Sequence, residues 1–244
     1  MTVDVYETVR SRRGPAVMDC KEIPCPGGPV DTQAVSQAAE VLRQGGVVAF
    51  PTETSYGLGA GADHPQALKH IYEIKKRPAD KPLLVLIDHI GDLSSIVDSV
   101  PDMAKRLMDR FWPGPLTILF PVARGLAYPL HCGTGKIGVR ISSNPWATAL
   151  VHAAGRPITA TSANVSGSSA AVSAEEVRRQ LVSPAPDFVL DGGRLASGAC
   201  STIVDVTDTT PVHQQGAMTT VPVKIIRQGV ISSDEILRTV TMHH

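Results

Sequence analysis

The segment DTQAVSQAAEVLRQGGVVAF, residues 31–50, shows the pattern that decides the fold of this chain. Apolar residues recur at positions 34, 35, 38, 39, 41 and 42, with Asp31 as a capping residue in front and Gly45 behind, so a helix is predicted. The apolar run VVAF follows directly and predicts a short buried strand. A helix that leads into a buried strand is a basic unit of α/β domains.

The same alternation continues along the chain. Further helices are predicted over 65–76, 101–111, 145–155, 173–181 and 232–240. Further strands are predicted over 83–87, 116–120, 136–142, 157–163, 188–191, 201–206 and 223–227. We therefore expect one α/β domain, residues 31–240, with a twisted, mostly parallel or mixed sheet flanked by helices. Residues 1–30 are punctuated by Gly and Pro and are predicted to form an N-terminal extension.

Composition argues against several classes of protein. The chain has 244 residues with 23 basic and 23 acidic side chains, so its net charge gives no general attraction to nucleic acid or anionic membranes. No apolar run approaches the roughly 18 residues that span a bilayer. The first 30 residues contain no apolar signal-peptide core. We expect a cytoplasmic protein without a membrane partner.

The four cysteines, Cys20, Cys25, Cys132 and Cys200, do not have the spacing of a zinc site. We expect them to be reduced thiols, and we predict no metal-ligating residues.

Two stretches come close to nucleotide-binding signatures. GLGAGA, residues 57–62, fits the loose dinucleotide fingerprint, but a polar segment separates it from the preceding strand, where that fingerprint needs a direct connection. GTGK, residues 133–136, ends like a P-loop. However, Ile137 stands where the magnesium-binding hydroxyl is needed, and Leu130 replaces the opening glycine. Neither stretch is interpreted as a nucleotide loop of those classes.

Two polar stretches follow predicted strands and are candidates for binding a small polar ligand. FPTETSYGLG, residues 50–59, brings three hydroxyls and a carboxylate together before glycines that allow a close backbone approach. In TSANVSGSS, residues 161–169, an extended backbone would point Ser162 and Asn164 to the same side. The alternative is that both stretches are polar turns that hydrogen-bond their own backbone.

Two cationic features are candidates for holding an anion. Arg140 lies within the apolar strand IGVRIS, where a guanidinium needs an anionic partner unless the strand lies at an edge and the side chain reaches water. IKKRPADKPLL, residues 74–84, carries four cations around two prolines. Lys75 and Lys76 would complement a helix dipole. Lys81 lies beyond a loop stiffened by proline, and two groups of cations held in this way suit a polyphosphate.

These stretches together resemble a known family. GGVVAFPTETSYGLGAGA, IYEIKKRPADKPL, FWPGPLTILF, GKIGVRIS, PITATSANVSG, GACSTIVDV and IIRQGVIS are similar, in this order, to motifs of the YrdC/Sua5 family of threonylcarbamoyl-AMP synthases. The resemblance covers residues 31 to about 235 and is closest to the single-domain type. It implies a twisted α/β sheet with a concave, positively charged face.

The resemblance also implies an activity. Family members join L-threonine, bicarbonate or CO2, and ATP into L-threonylcarbamoyladenylate and pyrophosphate. The threonine amine captures CO2 as a carbamate, whose oxygen attacks the α-phosphate, so catalysis would rest on positioning and on neutralising phosphate charge. Mg²⁺ is expected to enter with ATP. The product would pass to a separate transferase complex that modifies the adenosine next to the anticodon in tRNA.

Individual roles are carried over by position in the motifs. The resemblance implies a catalytic, phosphate-contacting role for Lys75 and Arg77. The implied ATP contacts are Lys75, Arg77, Lys81, Ser162, Asn164 and Arg227, and the implied threonine contacts are Thr54, Arg140 and Ser201. Two positions depart from the family pattern: Ser55 stands where many relatives have Val, and Cys200 replaces an acidic residue.

Two other functions are weighed against this one. A domain with a cationic concave face could be an RNA-binding module that binds RNA weakly, although aromatic residues make up only 4% of the chain. A component of a carbamoyl-transferring enzyme is the second alternative, because similar domains occur inside larger carbamoyltransferases.

Overall fold

The computed structural model describes residues 29–196, 198–207, 212–214, 217–219 and 223–241. Nearly all of the predicted N-terminal extension, residues 1–28, lies outside this part, so that prediction stays a prediction. The helices are α1 (Thr32–Arg43), α2 (Pro65–Lys75), α3 (Asp102–Phe111), α4 (Tyr128–His131), α5 (Pro145–Ala154), α6 (Ala174–Gln180) and α7 (Ser233–Thr241), with a 3-10 helix at Ile90–Ser95.

The described strands form three sheets. The strands are β1 (Val48–Pro51), β2 (Tyr56–Gly59), β3 (Val85–Leu86), β4 (Leu116–Pro121), β5 (Lys136–Arg140), β6 (Ile158–Thr159), β7 (Thr161–Ser162), β8 (Phe188–Val189), β9 (Thr202–Asp205), β10 (Val212–Gln214), β11 (Ala217–Thr219) and β12 (Lys224–Arg227). A six-stranded sheet has the order β12-β9-β4-β5-β3-β6, a four-stranded sheet has the order β7-β2-β1-β8, and β10 pairs with β11.

Both larger sheets are mixed, as predicted. In the six-stranded sheet β4 runs parallel to β9 and β3 runs parallel to β5, whereas the other neighbouring pairs are antiparallel. In the four-stranded sheet β1 is parallel to β8 and antiparallel to β2. The α/β class and the mixed sheet are therefore confirmed, although antiparallel pairs outnumber parallel ones among the described strands.

The strands of the six-stranded sheet divide their side chains between the core and an open face. Ile118 and Phe120 of β4 and Ile137 and Val139 of β5 are fully buried and belong to the larger hydrophobic cluster, which also contains residues of α2 and α3. Because successive side chains of a strand point to opposite sides, the residues between them face the other way. That other face carries the candidate site.

A second, smaller hydrophobic cluster lies on the outer side of the four-stranded sheet. Val48 and Phe50 of β1 pack there with α1 and α5, while Ala49 between them belongs to the larger cluster. The caps of α1 and α5 follow the sequence rules, because Asp31 and Asn144 each accept hydrogen bonds from two backbone amides of the first turn.

The stretch 157–163, predicted as one strand, is two short strands in different sheets. β6 pairs with β3 in the six-stranded sheet, and β7 pairs with β2 in the four-stranded sheet. Ala160 lies between them and donates its backbone amide to the carbonyl of Leu84. The chain therefore crosses from one sheet to the other here, and this crossing places the two sheets beside the same cavity.

Strand β2 was not predicted, because its glycine-rich sequence resembles a loop. A Cβ added at Gly59 would lie 2.5 Å from the carbonyl oxygen of Thr159 and 2.8 Å from the Phe50 ring. The glycine thus allows close packing between neighbouring strands. This explains the GLGAGA stretch by strand packing and agrees with its rejection as a dinucleotide loop.

Candidate functional site

A cavity of about 640 Å³ opens on the face of the six-stranded sheet that points away from the larger core. Alternate residues of β4 and β5 form its floor, including Thr117, Leu119, Gly138 and Arg140. The turn after β1 and the crossing between β6 and β7 form one wall. Five cationic side chains line it: Arg77, Lys81, Lys136, Arg140 and Arg227. A volume of this size fits a nucleotide-sized ligand.

Arg140 lies on the cavity floor and already has a protein partner. Its side chain is buried, and Nη1 lies 3.1 Å from Oε1 of Glu53. The other carboxylate oxygen of Glu53 accepts a hydrogen bond from the hydroxyl of Ser142. Burial lowers the pKa of Arg140, the Glu53 carboxylate opposes that shift, and the Arg227 guanidinium adds to it. Arg140 is thus a buried cation on a cavity surface, oriented by a carboxylate behind it.

The PTET turn after β1 places hydroxyl groups beside Arg140. Thr54 is buried, lines the cavity, and has its Oγ1 3.0 Å from Oγ1 of Thr52 and 3.4 Å from Nη1 of Arg140. The Thr52 hydroxyl donates to the carbonyl of Ser55 and accepts from the backbone amides of Thr54 and Ser55. The alternative interpretation of this stretch, a turn that hydrogen-bonds its own backbone, therefore holds for Thr52. Thr52, Thr54 and Ser55 nevertheless all line the cavity.

The loop that follows α2 carries Arg77 and Lys81 into the cavity wall. Arg77 donates from Nε to the carbonyl of Lys81 at 3.2 Å and from Nη2 to the carbonyl of Pro82 at 2.9 Å. The hydroxyl of Tyr72 lies 2.8 Å from the same Lys81 carbonyl. The loop is therefore held in shape by contacts with its backbone, and the side chain of Lys81 is exposed to the cavity.

Lys75 lies behind the cavity wall rather than on it. Its side chain is 1% exposed, and Nζ donates to the backbone carbonyls of Ser162 and, at 2.9 Å, of Asn164. Burial, followed by the nearby Arg77 guanidinium, lowers the pKa of Lys75 to about 7. The predicted contact of Lys75 with ATP phosphates stays a prediction.

Ser162 and Asn164, predicted to face one ligand together, occupy different positions. Ser162 lines the cavity at the end of β7. Asn164 is buried, and its side-chain amide donates to the carbonyls of Val165 at 2.9 Å and Ser168 at 2.6 Å. The backbone does not stay extended after Ser162, because the amide of Asn164 bonds the carbonyl of Ser162 in a tight turn. Asn164 shapes this turn, and its predicted contact with ATP stays untested.

Ser201, a predicted threonine contact, and Arg227, a predicted ATP contact, are direct neighbours. Arg227 donates from Nε and Nη2 to the carbonyl of Ser201 at 3.1 and 2.9 Å, and from Nη2 to its hydroxyl at 3.0 Å. Oγ of Ser201 is also 3.0 Å from Oγ1 of Thr117. Cys200, the departure next to Ser201, is exposed at the cavity, and its carbonyl accepts from the backbone amide of Val230.

Sequence reasoning missed three residues of this site. Glu53 was seen only as one carboxylate of a polar stretch, although its position next to Thr54 was a usable signal. Lys136 belongs to the GTGK stretch that was rejected as a P-loop, yet it lines the cavity and its Nζ lies 2.7 Å from Oδ2 of Asp205. Thr117 faces the cavity because it lies on the open face of β4, which the apolar run LTILF did not reveal.

Among the residues that the structure describes, no cluster of three or more His, Cys, Asp or Glu side chains could hold a metal ion. In the same part of the chain, no helix has the length and apolarity needed to cross a bilayer.

Comparison with known proteins identifies the family. Residues 40–229 match the Sua5/YciO/YrdC family model, which carries the description "Telomere recombination". The chain belongs to this family. It is 40% identical over 203 residues to the threonylcarbamoyl-AMP synthase of Bacillus subtilis, covering 83% of this chain and 55% of that protein. It is 39% identical over 175 residues to the threonylcarbamoyl-AMP synthase of Pyrococcus abyssi, covering 72% of this chain and 51% of that protein.

This member of the Sua5/YciO/YrdC family thus spans about half the length of those two curated relatives. A solved structure supports the assignment of the fold. The crystal structure of Pyrococcus abyssi Sua5 complexed with L-threonine superimposes with a TM-score of 0.78 at 33% identity, covering 88% of this chain and 59% of that one. The predicted family and its single α/β fold are confirmed.

Proposed function

We propose that this chain is an L-threonylcarbamoyladenylate synthase that condenses L-threonine, bicarbonate or CO2, and ATP, and releases pyrophosphate. The observation that carries the proposal is the cavity on the open sheet face, where five cationic side chains from separate segments converge. Two relatives are named threonylcarbamoyl-AMP synthases, and one similar structure holds L-threonine. A polyanion and an amino acid are the ligands that such a lining suits.

The amino acid is proposed to bind at the Arg140 end of the cavity. The guanidinium of Arg140 is buried and suits a carboxylate, and the hydroxyls of Thr54 and Ser201 line the same cavity. Oε1 of Glu53 lies 3.1 Å from Nη1 of Arg140, so the carboxylate balances part of the guanidinium charge before substrate arrives. A carboxylate in the cavity would therefore meet a buried guanidinium that lines it.

The triphosphate is proposed to bind near Arg77 and Lys81, with Ser162 beside them and Arg227 across the cavity. Arg77 donates two hydrogen bonds to the loop backbone, and these bonds hold the guanidinium in one position. Lys81 is exposed and can follow the phosphates. This assignment gives Arg77 the charge-neutralising role in catalysis.

The reaction proposed for this site needs no covalent bond to the protein. The threonine amine adds to CO2, forming a carbamate and releasing one proton. A carbamate oxygen then attacks the α-phosphorus of ATP, and the bond to the bridging oxygen breaks so that pyrophosphate leaves with that electron pair. The protein's part is to align the carbamate with the α-phosphate and to neutralise negative charge. Mg²⁺ is proposed as part of the ATP substrate, bound by its phosphates.

The product is proposed to supply a separate transferase complex that modifies the adenosine next to the anticodon of tRNA. This use in tRNA modification and weak direct RNA binding are parts of the proposal that rest on the family resemblance. A cytoplasmic location, expected from the sequence, is proposed as well.

The proposal is tested by measuring pyrophosphate release from ATP with each co-substrate left out in turn. Release that requires both L-threonine and bicarbonate is expected. Release that continues without L-threonine would remove the assignment as a synthase. Serine and valine, which each lack one feature of the threonine side chain, serve as matched alternatives and should support slower release.

A further inference from the structure

The last residue of α2, Lys75, makes three contacts with the segment 162–166 that follows β7. Its Nζ donates to the carbonyls of Ser162 and Asn164, and its own carbonyl accepts from the backbone amide of Ser166 at 2.9 Å. The side chain is almost fully buried, which is rare for lysine. The charged end of Lys75 therefore serves backbone groups of a neighbouring loop.

Those contacts lie directly behind the cavity wall. Ser162 lines the cavity, and its carbonyl accepts a hydrogen bond from Lys75, which is not among the lining residues. Two residues after Lys75, Arg77 donates to the carbonyls of Lys81 and Pro82. The end of α2 thus holds both the segment 162–166 and the loop 77–82, and both segments contribute to the cavity lining.

We propose that Lys75 is a positioning residue that ties the end of α2 to the segment 162–166, fixing Ser162 and Arg77 in the cavity wall, and that it does not contact ATP. This inference rests on the proposed function in one respect, namely that the cavity is the nucleotide site. To reach a phosphate, Nζ would have to leave two buried carbonyls without their donor, which costs free energy.

The state of the ammonium group agrees with this role. Burial and the Arg77 guanidinium lower the pKa of Lys75 to about 7, so a positive charge at this position is costly, whereas two N–H donors have carbonyl partners.

The effect of the Lys75 contacts on the segment 162–166 is tested first in the protein without ligand. The measurement is hydrogen–deuterium exchange of the amides in residues 161–168. The amides of Ala163, Asn164, Ser166 and Ser168 all have carbonyl partners whose bonds depend on the shape of this segment. Lys75→Met keeps an unbranched side chain one atom shorter and removes its donors. We expect exchange in this segment to rise by about tenfold in Lys75→Met. Lys81→Met, which removes an exposed cation from the loop 77–82, should leave the exchange of residues 161–168 unchanged.

The second arm measures the kinetic constants of the same variants. Positioning predicts that the KM for ATP rises about fivefold or more in Lys75→Met, while the KM for threonine stays within about twofold. Unchanged exchange in the free protein combined with lost ATP affinity would mean direct contact with ATP and would overturn the proposal. Raised exchange with an unchanged KM for ATP would also overturn the proposal. The Lys75 contacts would then shape the segment 162–166 without positioning the site.

Two further results separate possible failures. A wild-type protein that shows no threonine-dependent pyrophosphate release would contradict the proposed function, whereas the exchange measurement tests the tie independently. If Lys75→Met does not fold, Lys75→Gln, which keeps N–H donors without charge, replaces it. Folded Lys75→Gln with exchange and a KM for ATP close to wild type supports a donor role. Loss of ATP affinity in Lys75→Gln without any change in exchange contradicts it.

Discussion

Oε1 of Glu53 lies 3.1 Å from Nη1 of Arg140, at the floor of a cavity that Arg140 lines. Both side chains are largely removed from water, and Ser142 donates to the second carboxylate oxygen. A buried cation that keeps a carboxylate behind it and presents its other side to a cavity is prepared for a second carboxylate. This arrangement is the structural basis of the proposed threonine site.

Arg140→Ala is expected to weaken threonine binding by about 30-fold or more, because a buried, charge-assisted contact would be lost. ATP binding should change much less, since Arg77 and Lys81 are proposed to hold the phosphates. Calorimetric titration with each substrate separately measures both effects. Arg156→Ala is the matched control, because Arg156 pairs with Asp63 outside the cavity lining. A larger loss for ATP than for threonine would contradict the proposed partition of the site.

Glu53→Gln is expected to lower the thermal stability of the free protein, because it leaves Arg140 buried without its counter-charge. The carboxylate of bound threonine would replace part of that charge. Saturating threonine should therefore raise the melting temperature more in Glu53→Gln than in wild type, as measured by scanning fluorimetry. Glu40→Gln, which affects an exposed pair with Arg43, is the control. An equal or smaller rise in Glu53→Gln would show that threonine does not bind against Arg140.

The buried amine of Lys75 is expected to make stability depend on pH. The unfolded chain keeps a proton on Lys75 up to an ordinary pKa of 10.5, whereas in the folded chain burial lowers the pKa to about 7. Between these values the unfolded state binds more protons, so this residue makes the free energy of unfolding rise with pH, by up to about 1.4 kcal/mol per unit. Below about pH 7 its penalty is fully present.

Urea titrations of wild type, Lys75→Met and Lys69→Met at several pH values between 7 and 9.5 measure this contribution. The difference between wild type and Lys75→Met should grow with pH in favour of wild type, whereas exposed Lys69 on the same helix should give no such trend. A difference that is constant with pH would mean that Lys75 stays protonated in the folded protein throughout this range.

Gly59→Ala is expected to destabilise the fold by about 1–3 kcal/mol, because a Cβ there overlaps backbone as well as a ring. The nearest atom is the Thr159 carbonyl oxygen at 2.5 Å, which cannot move without disturbing the strands. In contrast, Gly91→Ala meets only the side chain of His89 and should have little effect. Chemical denaturation compares the two variants, and equal stabilities would show that the close strand packing at Gly59 is not required.

Six of the seven described α-helices, all except α4, and most strands could be predicted because their signals are local. Asp31 caps α1, and Ser173 accepts from the backbone amide of Glu176 at the start of α6, as the spacing indicates. The crossing at Ala160 could not be predicted, since it depends on pairing with β3 on one side and β2 on the other. Long-range pairing of this kind leaves no local pattern in the sequence.

The candidate site was predicted in its location better than in its details. Thr54, Arg77, Lys81, Arg140, Ser162, Ser201 and Arg227 all line one cavity, as expected of residues that serve one site. Residue type alone could not show that Lys75 and Asn164 turn toward backbone carbonyls instead. Their direction is set by packing between α2 and the turn after β7, and a sequence motif does not encode it.

Isotope labelling determines whether carbon from bicarbonate is joined to threonine and adenylate by this protein. The chain would be incubated with ATP, Mg²⁺, L-threonine and ¹³C-bicarbonate, and the adenylate product would be identified at once by mass spectrometry. We predict a threonylcarbamoyl adenylate that carries one ¹³C atom and is lost in the Arg140→Ala variant at low threonine concentration. An adenylate of threonine without labelled carbon, or AMP formed equally without threonine, would contradict this prediction.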